Sequence, residues 1–356
     1  MKTRFLQRVG EIRPVDQSLA PAGQAHLDNL TKPKGSLGRL EELALQAYMV
    51  QGGKAPVADP ARFFTIAGDH GVAEEGVSLF PQEVTRQMVL NFVNGGAGIN
   101  VLVKTVGAEL FVVDAGCLGG VFEEHPNLLQ RKVAPGTANL AAGPAMTEEQ
   151  CLQALMLGMD LADQAAADGV VTLGTGDMGI ANTTPSTALY CAYFGLDPEA
   201  ITGPGTGLNA DGVRRKIGVV RKGLAVNAET VASGDGLRIL AALGGLEIAA
   251  LAGLILGGAR NRQIVCVDGF ISTAAYAAAR AICPDVAGYC VASHASAEPG
   301  YGAVIRELGM DPVLHLGLRL GEGTGAALTL FLLRSGVNVF NEMASFADAG
   351  VTEGTV

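Results

Sequence analysis

The chain has 356 residues, of which 49% are hydrophobic, and a mean hydropathy of +0.31; this excludes disorder and leaves room for one large domain and a smaller one, each with a core. A net charge of −10 and an isoelectric point near 5.0 exclude a general field for nucleic acid or anionic membrane, so any bound phosphate needs local donors. With 49 glycines and no tryptophan, the composition predicts many loops and a core of small aliphatic side chains, as in an α/β protein.

The first eight residues are charged and hold no apolar stretch of the secretory kind. Cysteines at 117, 151, 191, 266, 283 and 290 form no Cys-x-x-Cys pair; they read as buried thiols in a reducing compartment, which predicts a cytoplasmic protein. Residues 1–55 read as helical: one helix over 16–30, a turn at Lys32-Pro33-Lys34-Gly35, and a second helix capped by Ser36 with Leu37, Leu40, Ala44 and Ala47 on one face.

From about residue 60, β-branched and aromatic runs alternate with helical stretches, and 63–67, 109–114, 170–173, 263–267 and 289–292 are predicted strands. Small or polar residues follow each at once: Gly68-Asp69-His70-Gly71, Ala115-Gly116, Gly174-Thr175-Gly176-Asp177, Asp268-Gly269 and Ser293-His294-Ala295-Ser296. Strand, polar loop and helix in repetition predict a parallel sheet flanked by helices, with the loops and any ligand at its carboxyl edge. Residues 213–224 read as an amphipathic helix with Val213, Ile217, Val220 and Leu224 as its apolar stripe and mostly solvated basic residues. The apolar stretch 239–259 is interrupted by Gly244-Gly245 and holds Glu247, so two buried helices are expected rather than a membrane span. The apolar run from Ala326 to Leu333 has no strand to cross to and is predicted to return to the N-terminal helices. Residues 1–55 with 325–356 then form a small helical domain beside an α/β body at 56–324.

Chemistry concentrates in a few loops. Glu322 is flanked by Gly321 and Gly323, ahead of an apolar helix; desolvation there would raise its pKa and make it a general base, the alternatives being a solvated surface Glu or a phosphate cradle. The loop 174–185 leads from a strand into a helix, with Thr184 as expected N-cap and Pro185 as first helical residue, an arrangement that suits an anion. Asp177 in that loop suits a contact to a ribose hydroxyl or a base. Phe80, Met88 and Met178 could be core or an apolar slot for an aromatic ring. Asp69, His70 and His294 would be the metal set, but no metal-ligand spacing accompanies them. Neither metal nor cofactor is expected.

Seven stretches, namely Lys32-Pro33-Lys34-Gly35-Ser36-Leu37-Gly38-Arg39-Leu40-Glu41, Gly68-Asp69-His70-Gly71-Val72, Pro81-Gln82-Glu83-Val84-Thr85, Asn182-Thr183-Thr184-Pro185, Asp268-Gly269-Phe270, Ser293-His294 and Leu320-Gly321-Glu322-Gly323-Thr324-Gly325, resemble, in order, the nicotinate-nucleotide:dimethylbenzimidazole phosphoribosyltransferase family. The resemblance runs from about residue 26 to 350. It implies a Rossmann-like sheet, a homodimer whose partner borders the site, and transfer of a 5-phosphoribosyl group from nicotinate mononucleotide to dimethylbenzimidazole, giving α-ribazole 5′-phosphate for the lower ligand of cobalamin. It further implies Glu322 as catalytic base with Asp177 beside it, Gly179, Lys216, Gly269 and Ser296 around the phosphate, and Phe80, Met88, Met178 and Leu320 around the base. Three positions depart from the family pattern: Asp177 stands where many members carry Glu, and Phe80 and Met88 replace a small hydroxyl and an amide residue found in some members. Two other readings stay open at this point. One is a nucleotide-binding regulator without catalysis; the other is a dehydrogenase, because residues 174–179 fit Gly-x-Gly-x-x-Gly after a strand.

Overall fold

A computed structural model describes residues 1–352. Among these, strands β1 (Ala61–Gly68), β2 (Glu109–Gly116), β3 (Leu128–Gln130), β4 (Thr172–Met178), β5 (Ile264–Val267) and β6 (Cys290–Ala292) form one six-stranded sheet in the order β3-β2-β1-β4-β5-β6, every pair parallel. The chain reverses its direction of travel across the sheet between β1 and β4, so a crevice opens there at the carboxyl ends.

Helices in chain order are α1 (Lys2–Val9), α2 (Ala20–Asp28), α3 (Arg39–Val50), α4 (Glu83–Val93), α5 (Gly98–Val106), α6 (Glu148–Ala167), α7 (Thr183–Phe194), α8 (Pro198–Ile201), α9 (Ala210–Val226), α10 (Ala228–Ala232), α11 (Gly236–Leu243), α12 (Leu246–Arg260), α13 (Phe270–Ile282), α14 (Tyr301–Leu308), α15 (Thr324–Glu342) and α16 (Phe346–Ala349). α12 lies along β1, β2, β4 and β5 with α6 and α13 beside it, while α15 crosses β4 and β5 and is packed by α3 and α5. Successive residues of β4 point to opposite faces: Leu173 meets α12 at Gly258, and Gly176 meets the turn before α15. As expected, α11 and α12 are both buried and break at Gly244-Gly245. No helix among the described residues is long and apolar enough to cross a membrane.

Several local expectations shift. The predicted helix over 16–30 shortens to α2, after a 3₁₀ turn in which Asp16 accepts the Ser18 N–H. α3 starts at Arg39 with Gly38 as N-cap, so Ser36 lies outside it. Instead Glu41 reaches back to accept the Leu37 N–H at 2.9 Å and pairs with buried Lys32, also at 2.9 Å. α7 begins at Thr183 with Asn182 as N-cap, which puts Pro185 in its third position rather than its first; a proline is tolerated there because the first four helical N–H groups have no helical partner.

The largest shift is in β4, which runs on to Met178 through residues read as loop. Gly174 and Gly176 therefore belong to the strand, and each leaves space for something else. A Cβ on Gly174 would stand 2.0 Å from the Phe63 ring, and one on Gly176 would stand 2.2 Å from the Glu322 carbonyl oxygen. The Gly-x-Gly-x-x-Gly spacing thus serves packing across the sheet, which removes the sequence basis for a dinucleotide-binding turn.

One continuous core joins sheet and helices and includes Ala47 of α3 and Leu330 of α15; a smaller cluster of Leu27, Leu30, Ala44 and Phe340 ties the two ends of the chain together. The α6–α12 contact is closest at Gly158, where a Cβ would lie 1.8 Å from the Ala250 carbonyl oxygen. Gly158→Val is expected to force the two helices apart and cost about 3 kcal/mol. The urea midpoint should fall accordingly.

Candidate active site

Loops from four strand ends and the turn before α15 enclose a cleft of about 280 Å³ at the carboxyl edge of the sheet. Asp177 and Gly179 reach it from β4, Gly269 from β5, His294 and Ser296 from β6, and Arg319 to Gly321 from the final turn; Phe80 stands at its mouth.

Glu322 stands just behind one end, next to Gly321 of the lining. It has a backbone φ of +66°, between Gly321 at +83° and Gly323 at +102°, a left-handed run that glycine accepts freely and Glu does not. The strain is held by contacts on both sides: Thr65 donates its hydroxyl to the Glu322 carbonyl at 2.8 Å, and the Ile99 N–H donates to Oε2 at 3.2 Å. The side chain is 7% exposed, and burial raises its pKa above the ordinary glutamate range, the Ile99 N–H opposing the shift and Asp268 adding to it. The desolvated acid predicted at this position is therefore what the fold produces.

Asp268 holds that turn in place. Its Oδ1 accepts the N–H groups of Gly325 and Ala326 at 2.8 and 3.0 Å, and its Oδ2 that of Gly323 at 3.1 Å. A carboxylate thus caps the N-terminus of α15, where free N–H groups and the helix dipole both favour an anion. His294 Nδ1 lies 3.6 Å from the same carboxylate, and the His294 ring fills the space that a Cβ on Gly325 would need.

The other end of the cleft is built for an anion. The N-termini of α7, at Asn182 and Thr183, and of α13, at Gly269 and Phe270, open onto the same space. Behind them, fully buried Lys216 donates to Thr183 Oγ1 at 2.6 Å and to the Gly203 carbonyl at 3.2 Å. Burial lowers its pKa to about 8, and Glu298 opposes the shift. α9 accordingly buries Gly212, Lys216, Val219, Val220 and Gly223 rather than the predicted stripe, of which Val220 alone is fully inside.

Between the two ends, Asp177 accepts the Asn182 side-chain amide at 2.9 Å, and burial holds its pKa well above the ordinary aspartate range, with Asp268 adding to the shift. Gly179 has no room for a side chain, since a Cβ would lie 2.4 Å from the Gly68 carbonyl oxygen.

Of the residues named from sequence, Asp177, Gly179, Gly269 and Ser296 line the cleft, while Glu322 and Lys216 stand just behind its walls. Phe80 and Leu320 line the cleft; Met88 and Met178 are half-buried, pack against core clusters and do not line it. Asp69, His70 and His294 do not converge either: His70 pairs with Glu247 at 2.7 Å, Asp69 accepts the Leu118 N–H, and His294 sits at Asp268. Sequence reading missed Glu298 and Arg319 as lining residues and gave Asp268 no task of its own.

A family model described as phosphoribosyltransferase matches residues 12–351. The nicotinate-nucleotide–dimethylbenzimidazole phosphoribosyltransferase of Solidesulfovibrio magneticus is 68% identical over 99% of this chain and 100% of its own length. That of Chlorobium chlorochromatii is 53% identical over 99% of both. The chain belongs to this phosphoribosyltransferase family. A crystal structure of the Thermus thermophilus member superposes with a TM-score of 0.89 at 43% identity, covering 95% of this chain and 100% of that one, so the two chains share the α/β fold described above.

Asp268→Asn is expected to lower stability by about 2–3 kcal/mol, because an amide turns a donor toward N–H groups that need an acceptor. Turnover should fall by about a hundredfold through displacement of Glu322. Paired urea titrations and initial rates check both.

Proposed function

We propose that the protein transfers the 5-phosphoribosyl group of nicotinate mononucleotide to 5,6-dimethylbenzimidazole or a related base, giving α-ribazole 5′-phosphate and nicotinate for the lower ligand of cobalamin. The observation that carries this reading is one desolvated glutamate across a cleft from two helix N-termini and a buried lysine.

Lys216, Gly179, Gly269 and Ser296 hold the phosphate, and Phe80 and Leu320 border the base. Nicotinate departs from a cationic pyridinium, so its loss neutralises the ring nitrogen and needs no general acid. The incoming benzimidazole needs the opposite help. One of its nitrogens attacks C1′ while the proton on the other is removed, and Glu322 takes that proton. Attack on the face opposite the departing ring inverts C1′, and holding the two rings in line supplies much of the remaining acceleration. In this reading the reacting groups belong to an α/β domain at 56–324, and residues 1–55 with 325–356, of which 353–356 lie outside the described residues, make up a small helical domain. Six free, buried cysteines among the described residues support a reducing, cytoplasmic setting.

A homodimer is part of this reading. Leu320 of the cleft wall is 60% exposed and reaches α5 at Gly98; Val101 of α5 and Phe331 of α15, which pack together, are each also 60% exposed. Apolar surface of this kind beside a site suits a partner subunit. Phe331→Arg is expected to shift sedimentation from two chains to one.

Glu322→Gln is expected to reduce turnover by about 10²–10⁴-fold with little change in nucleotide affinity. The base must be unprotonated and its pKa is raised. In the wild type, kcat/KM should therefore fall as pH drops through a value above the ordinary glutamate pKa of about 4.3. That acid limb should vanish from the residual activity of the variant. A wild-type rate that stays flat down to the ordinary glutamate pKa of about 4.3 would remove Glu322 from the role.

A further inference from the structure

The cleft is rich in acid for a site that receives an anion. Asp177 and Glu298 line it, and Glu322 and Asp268 stand just behind its wall. Against them, Lys216 is drawn back behind Thr183 and Gly205, and Arg319 is the one Lys or Arg side chain among the described lining residues. Arg319 is exposed and has no hydrogen-bond or ion-pair partner among the described residues. Its backbone neighbours fix where it can reach: the Leu318 carbonyl accepts the Ala297 N–H at 2.9 Å, and Leu320 on the other side forms the apolar wall toward Gly98. Arg319 thus stands between the Ser296 loop and the wall that borders an aromatic ring.

We propose that Arg319 binds the carboxylate of the pyridine ring and so selects the acid over the amide form of the nucleotide donor. This rests on the phosphoribosyl-transfer reading above. The donor carries two separate anionic groups. Two helix N-termini, Lys216 and Ser296 already answer the phosphate, which leaves the ring carboxylate facing an acid-lined cleft without a counter-charge. A guanidinium offers a planar pair of N–H groups that match a carboxylate. The acceptor base has no such group, so the contact acts on the donor alone and lapses when the free pyridine acid leaves.

The test compares nicotinate mononucleotide with nicotinamide mononucleotide, which differ only in that carboxylate. Binding of each is measured by calorimetric titration without acceptor base, for the wild type, Arg319→Ala and Arg319→Lys. Because the side chain is exposed and makes no hydrogen bond or ion pair among the described residues, both variants should fold and sediment as the wild type does. Arg319→Ala should weaken the acid nucleotide by about tenfold to a hundredfold and leave the amide nucleotide within about twofold. Arg319→Lys should recover part of the loss, and KM for the acceptor base should not move. Equal weakening of both nucleotides would put the guanidinium on the phosphate and overturn the proposal. So would no weakening of either, or a change in sedimentation that places Arg319 in a subunit contact. Failure of the wild type to turn over nicotinate mononucleotide with any benzimidazole would instead overturn the functional reading beneath it, whatever the binding data show.

Discussion

The carboxylate of Asp268 is the contact on which the site depends. It sits at the carboxyl end of β5, its own N–H donates to Thr175 of β4 at 3.0 Å, and its two oxygens accept three N–H groups from the start of α15. A helix begins with unsatisfied N–H groups and a positive partial charge, and a buried beginning without an acceptor would be costly. Asp268 removes that cost and ties the last helix to the middle of the sheet. Because Glu322 is the residue just before this anchor, its position follows from the cap, to which the Thr65 hydroxyl on its carbonyl and the Ile99 N–H on its side chain add. A flexible glycine turn becomes a fixed one, and a left-handed backbone at Glu322 is held by the groups around it.

The same region shows how missing side chains create precision. β4 carries glycine where its neighbours lean in: the Phe63 ring covers Gly174, and the Glu322 carbonyl lies on Gly176. Any larger residue at 176 would lift the turn off the sheet and carry the acid with it. Gly179 in turn lets the start of the loop press against Gly68 of β1 and the His70–Glu247 pair beneath it. The crevice between β1 and β4 is thus narrowed by close backbone approach, and the cleft keeps its volume for a ligand. Glycine weakens a strand locally, and here the continuous core on both faces of the sheet compensates.

How much of this could be read in the residues varies with the kind of signal. The alternation of β-branched runs and polar turns located five of the six strands and the edge where the site lies. Strand β3, three residues long, has too little pattern to be seen. The glycines of β4 looked like a loop because glycine marks turns by conformational freedom, whereas here it marks contact with chain more than a hundred residues away in sequence. The helix pattern hid Lys216 among neighbouring basic residues, since a one-residue error in the apolar stripe turns an inward charge outward on a helix, and the family resemblance alone singled it out. Asp268 looked like any polar residue after a strand. Its task is defined by N–H groups more than fifty positions later, and no local spacing encodes that. Met88 and Met178 erred the other way: an apolar residue near a site loop is as well suited to core as to pocket, and these two are held by core.

The clustering of acids also bears on the order of events in the proposed reaction. Asp177, Asp268 and Glu322 are all pushed upward in pKa, first by burial and then, for Asp177 and Glu322, by the negative charge of Asp268. A cationic pyridinium entering this cleft offsets that repulsion and keeps Glu322 more acidic while the donor is intact. When the glycosidic bond breaks, the departing ring becomes neutral and the offset is lost. The proton affinity of Glu322 then rises at the stage when the incoming benzimidazole, bonding to C1′, must give up its proton. In the proposed reaction, departure of the leaving group thus strengthens the base. Acids that are unfavourable for binding an anion thereby favour the transfer itself, and the two helix N-termini with Lys216 supply the attraction that lets an anionic donor enter such a site at all.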